Sequence, residues 1–214
     1  MMDEGSVEAF LRLGSAGILD TDCVYRFPMR MIDSADRVIA GSGDWPARLS
    51  AAEYLRGRLE FRWMSSVNEF VFSRSVFQRE GIPSFPQAWC SDDAAWISFS
   101  RNGGIISLQE GGVGWRNSGS NISADIGEKN GRLRLRACLQ YLRWLDEQAK
   151  KDARLATTRS LRLSWLAEHW LMLRPPGMNR PPSYGLQLMR KELGPLSLTF
   201  VLAITAIKMM RRML

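Results

Sequence analysis

Two adjacent carboxylates, Asp92 and Asp93, stand between two tryptophans in the run Trp89-Cys90-Ser91-Asp92-Asp93-Ala94-Ala95-Trp96. Acids at the start of a helix have two uses. They can cap it, accepting backbone N–H bonds and placing negative charge at the positive end of the helix. Alternatively, one of them can serve as a general base, taking a proton from a hydroxyl as that hydroxyl attacks an electrophile. In the second case Trp89 offers an apolar platform for a sugar ring, while Trp96 suits core packing. Other chemistry finds little support. The single histidine, His169, sits mid-helix between Glu168 and Trp170. Cys23, Cys90 and Cys138 lack metal-type spacing, and their odd number argues for reduced thiols rather than a disulfide framework.

The elements that must position the acid pair follow from period and punctuation. Glu69–Ser73 reads as a strand and Ser75–Glu80 as a short helix closed by Gly81. Pro83 to Pro86 impose an extended loop that presents residues 87–93. Asp92–Ser100 reads as a helix with Ser91 or Asp92 as its cap. Asn102-Gly103-Gly104 turns the chain into a strand at Ile105–Leu108, and Gly111-Gly112 into an extended Val113–Arg116. Upstream, helices are expected at Ser6–Leu13 and Ala47–Arg58, a strand at Cys23–Phe27, and a hairpin of Met29–Ile32 with Arg37–Ala40 around Asp33–Asp36. From Arg132 onward the pattern is helical, with long helices ahead of and after position 158, a short one at Leu186–Leu193 and an apolar run of 12 residues at Leu196–Ile207. That run is shorter than the roughly 20 residues a spanning helix needs, so it suits a core helix or one lying at a membrane interface.

The 214 residues are 45% hydrophobic, enough to bury a sizeable core. Charge is split unevenly along them. Residues 1–131 hold 13 Lys/Arg and 17 Asp/Glu, whereas residues 132–214 hold 16 Lys/Arg and 5 Asp/Glu. The basic part could face an anionic membrane or a nucleic acid, or simply be a set of solvated helix faces. Nucleic acid is the least favoured partner, because the arginines of Arg132-Leu133-Arg134-Leu135-Arg136 alternate with leucines that a helix or strand would bury.

The Trp89–Trp96 run, the Gly-turn strand after it, the segment Trp115-Arg116-Asn117-Ser118-Gly119-Ser120-Asn121-Ile122-Ser123 and the upstream Glu69-Phe70-Val71-Phe72-Ser73-Arg74 together resemble the C-terminal half of a bacterial family 2 glycosyltransferase with a GT-A fold. The resemblance is clearest over residues 64–123. It implies an α/β fold: a partial GT-A-like mixed sheet with flanking helices over residues 1–130, followed by a basic helical region at 131–214. It also implies inverting transfer of a sugar from a nucleotide-sugar donor to a sugar or lipid-linked acceptor, in polysaccharide or glycan synthesis. By the same resemblance Asp93 is the general base, Asp92 orients it or touches the acceptor, and Trp89, Trp115, Arg116 and Ser118 contact substrate. A Mg²⁺ or Mn²⁺ ion is implied, with Asp3 the last acid of its motif. Little chain precedes the first strand, so the nucleotide-binding half is expected to be missing and to come from a partner chain, or its exposed edge to be covered by a second copy. Sugar transfer by the chain alone is then expected to be weak. The alternative is a non-catalytic interaction or membrane-surface module of the same fold. Without an apolar signal core near the start, the expected location is the cytoplasm, peripheral to the inner membrane.

Overall fold

The computed structural model describes residues 2–3, 5–17, 19–117, 125, 127–174, 178 and 181–211. The chain divides into two compact units. One comprises Met1–Pro83 with Asp92–Asn121, the other Ser84–Ser91 with Ile122–Leu214. The expected boundary at 130 therefore lies inside a helix of the second unit, and Ser84–Ser91, the part of the Pro-rich approach loop that carries Trp89, belongs to that unit too.

The first unit is mixed α/β, with two mixed sheets. Its elements are α1 (Ser6–Ser15), β1 (Val24–Arg26), β2 (Met29–Ile32), β3 (Val38–Gly41), β4 (Arg48–Leu49), α2 (Ala51–Leu59), β5 (Phe70–Val71), α3 (Arg74–Glu80), α4 (Ser91–Phe99), β6 (Ile105–Ser107) and β7 (Val113–Arg116). One sheet runs β4-β6-β1-β5 and the other β3-β2-β7. Each has one parallel pair, β1 with β6 (Val24 opposite Ile105) and β2 with β7 (Met29 opposite Val113). Phe27-Pro28 joins β1 to β2 and carries the chain from one sheet to the next. Pro28 has no N–H to give a ladder, but its carbonyl accepts from Val113 N–H at 2.9 Å. Cys23, Tyr25, Phe27, Met29, Leu108 and Val113 form a core cluster under Phe10 and Leu13 of α1. Before β6, Gly104 takes φ 81°, and a Cβ there would lie 2.6 Å from the carbonyl oxygen of Leu49. Only glycine lets β4 approach that closely.

The second unit is helical: α5 (Glu128–Lys151), α6 (Arg159–Met172), α7 (Ser183–Glu192) and α8 (Pro195–Arg211). The α5 helix buries Leu135, Ala137, Cys138, Leu139, Tyr141, Leu142 and Leu145, a stripe at helical spacing that packs on α6 and α7. Thr158 caps α6 by accepting from Leu161 N–H at 3.3 Å. Among the described residues, no helix is long and apolar enough to cross a membrane.

Candidate active site

The acid pair opens α4, as the sequence implies, but the two acids behave differently. Asp93 is buried, at 8% exposure. Its Oδ1 accepts from the Tyr54 hydroxyl at 2.6 Å and from Arg58 Nε at 2.7 Å, and its Oδ2 accepts from Arg58 Nη2 at 3.1 Å. Tyr54 and Arg58 are four residues apart, on one face of α2. A capping box fixes that helix: Ser50 Oγ accepts from Glu53 N–H at 3.2 Å, and Glu53 accepts from Ser50 N–H at 2.8 Å. Arg58 also donates to the carbonyl of Trp63 at 2.7 Å, so its guanidinium is held from both sides. Burial opposes its charge, but Asp93 beside it more than offsets this and holds the guanidinium above its ordinary range. Burial, reinforced by the charge of Asp93, pushes the Tyr54 hydroxyl well up, which keeps it a donor.

Asp92 is half-buried. Its Oδ1 accepts from the N–H of Asp93 at 2.9 Å. Burial, and then the charge of Asp93, raises its carboxyl to about 6. The pair is thus split by environment into one acid clamped by three donors and one whose proton comes and goes near neutral pH. A carboxyl raised by burial and a neighbouring charge marks a candidate acid or base.

Both oxygens of Asp93 thus accept from α2, which holds its carboxylate in place. Of the two expected caps, Ser91 accepts from Phe85 N–H at 3.2 Å, whereas Asp92 accepts from the N–H of Asp93. The backbone entering α4 is unusual: Gln87, Ala88 and Cys90 all take φ between 54° and 67°, the left-handed region. Non-glycine residues there cost about 1–3 kcal/mol each, and such strain gathers at functional sites.

The remaining expected site residues are dispersed. Trp89 lies against the Arg134 guanidinium, 4.5 Å from its ring centroid, and edge-on to His169 at 6.3 Å, so Arg134 takes a ring face expected to receive a sugar. Trp115 is half-buried on β7, packed against the core cluster of the first unit. Arg116 donates to the carbonyls of Asp33 and Ser34 at 3.1 and 3.3 Å and to Asp36 Oδ1 at 2.5 Å, tying down the β2–β3 turn. That bonding serves the hairpin rather than a phosphate. Ser118 lies outside the described residues. Asp3 is ion-paired with Arg30, and its N–H donates to the Gly112 carbonyl at 2.8 Å. Among the described residues no three His, Cys, Asp or Glu side chains gather to hold a metal ion. The residues present around Asp3 therefore do not fit the implied Mg²⁺ or Mn²⁺ ion, and no step below runs through it.

No family model, curated protein or solved structure matches this chain.

The residues that sequence reasoning missed are Tyr54 and Arg58. Their signal was present, a tyrosine and an arginine at i and i+4 after a Ser-x-x-Glu cap. What no local pattern carries is that this face meets a carboxylate 35 residues further along.

Proposed function

We propose that the chain is the acceptor-side part of an inverting, GT-A-like glycosyltransferase in which Asp92 is the general base. The observation that carries the reading is the split pair: a clamped Asp93 beside an Asp92 raised to about 6. In this mechanism the acceptor hydroxyl donates a hydrogen bond to Asp92. As its oxygen attacks the anomeric carbon, the proton passes to the carboxylate, the new C–O bond forms, and the nucleoside diphosphate departs with the electron pair of the broken bond. A base with a pKa near 6 is mostly ionised at pH 7 and still basic enough to share a proton in the transition state, which general-base catalysis requires. Asp93, fixed by Arg58 and Tyr54, positions the first turn of α4 and supplies the charge that keeps Asp92 basic.

The test is sugar transfer from a panel of nucleotide-sugar donors to sugar and lipid-linked acceptors, with Mg²⁺ or Mn²⁺. It is run with the chain alone and with a nucleotide-binding half supplied from a related enzyme. Asp92→Asn should lower the rate about 10²–10⁴-fold while the fold persists. The wild-type rate should rise with pH through about 6 as Asp92 ionises. Transfer that survives Asp92→Asn unchanged would remove the base from this site, and absence of transfer with every donor in both samples would sink the reading. The rival, a non-catalytic module of the same fold, has one observation in its favour: the bonds of Asp93 to Tyr54 and Arg58 also serve simply to tie α2 to α4.

A further inference from the structure

The α8 helix is built inside out. The residues it buries are Ser197, Val201 and Thr205, two of them hydroxylic. The Thr205 hydroxyl is satisfied within the helix, donating to the Val201 carbonyl at 2.7 Å, and Ser197 is bonded by Arg159. The opposite half carries Leu196 at 81% exposure, with Phe200, Leu202, Ile207 and Met210 also exposed. Ala203 and Ala206 fill the same arc, in which Thr199 and Arg211 are the polar members. A helix whose outer half is apolar is one with a cover on both sides. Here α6 covers one of them.

We infer that the outer face of α8 lies in the headgroup–acyl boundary of an anionic phospholipid membrane. Three observations select lipid. First, the exposed arc spans about half the helix, wider than the narrow seam that a paired helix would use. Second, charge is complementary: between Leu193 and Arg211 there is no Asp or Glu, Arg211 ends the exposed arc, and Arg190 and Lys191 end the preceding helix, while Lys208 is ion-paired with Glu168 of α6 and belongs to the inner side. Third, Arg159 stands beside Leu196 and Phe200 on an open groove of about 390 Å³ that also includes Leu163. A guanidinium at the lip of an apolar groove suits a phosphate with an acyl chain below it. The helix is too short and too charged at its end to span the bilayer, so it lies along the surface. This inference does not depend on sugar transfer.

The test is co-sedimentation of the full chain with vesicles of phosphatidylcholine alone and of phosphatidylcholine mixed with phosphatidylglycerol, together with sedimentation velocity without lipid. Wild type should partition onto the anionic vesicles, less so in high salt, and poorly onto the neutral ones. Phe200→Glu and Ile207→Glu change exposed side chains and should keep the circular dichroism of wild type while lowering partition about tenfold or more. Arg211→Gln should lower it about fivefold, and only for anionic vesicles. Binding untouched by both glutamate variants would overturn the proposal. So would failure of wild type to bind vesicles, including the case in which it sediments as a dimer that Phe200→Glu dissociates, since a second copy would then cover the face.

Discussion

Asp92 and Asp93 share a helix turn, yet the physics of replacing them is opposite. The carboxyl of Asp92 is raised from 3.8 to about 6, so the folded protein holds that proton more tightly than the unfolded chain does. Its contribution is favourable below about pH 4 and is lost as pH climbs through 6, where the folded state must carry a half-buried anion. Asp92→Asn should therefore stabilise the protein at pH 7, by up to about 3 kcal/mol, with the gain vanishing near pH 4. Urea titrations at the two pH values check this. An unchanged or lower midpoint at pH 7 would mean that Asp92 is not strained as an anion. Loss of the partners of Asp93 should instead destabilise. Arg58→Ala leaves a buried carboxylate with the Tyr54 hydroxyl but without its cation, and should cost about 3–5 kcal/mol, whereas Tyr54→Phe removes one buried donor and should cost about 1–3 kcal/mol. A double-mutant cycle between Arg58 and Asp93 should show coupling, because each alone strands the other. If Asp92→Asn raises stability and abolishes transfer together, the acid is kept for chemistry and not for capping.

Elements with a strong period were legible. The helices at α1, α3 and α4 lie within a few residues of their expected spans, α5 and α6 fall on either side of position 158, and the β2–β3 hairpin turns around Asp33–Asp36. The short strands β1, β6 and β7 also lie where they were expected, but β4 does not. The strand β4 is two residues long and offers no alternation to read; the helical reading absorbed it, beginning at Ala47 instead of after the Ser50 cap. Glu69 was read as strand but ends a 3₁₀ turn: its carboxylate closes a capping box by accepting from Ser66 N–H at 2.6 Å, and it also accepts from Arg26 at 2.7 Å in a buried pair that Trp45 covers at 3.8 Å. At the candidate site the acid pair was visible, but not which acid is clamped, because Tyr54 and Arg58 come from another helix. Arg116 and Asp3 looked apt for phosphate and metal by residue type alone, and long-range partners assign them elsewhere. Packing also inverts one propensity rule. Gly185 lies inside α7, where alanine ordinarily adds stability. Here a Cβ would run into the Trp170 indole, which donates to the Pro182 carbonyl at 3.0 Å. Gly185→Ala should therefore destabilise by about 1–3 kcal/mol, and a raised melting temperature would show that α7 does not press on α6.

At the scale of the molecule, the cysteines report on two cores. Cys23, Cys90 and Cys138 are all buried. Cys23 lies in the sheet core of the first unit, where its thiol donates to the Gly103 carbonyl at 3.2 Å and burial, with Asp20 next, pushes it above its ordinary value. Cys138 belongs to the buried stripe of α5 in the second unit. Both should resist a thiol reagent in native buffer, since reaction needs an accessible thiolate. Each unit has its own core, so each can open with its own free energy. Labelling across a urea series, read cysteine by cysteine by peptide mass spectrometry, should then give different midpoints for Cys23 and Cys138. Coincident midpoints would make the chain one cooperative body. Rapid native labelling of Cys23 would instead contradict the packing of β1 beneath α1. Because Asp92 and Asp93 lie in the first unit and α8 in the second, separate midpoints carry a further consequence. Anionic vesicles should then raise the midpoint of Cys138, through ligand linkage to the unit that binds them, by more than that of Cys23.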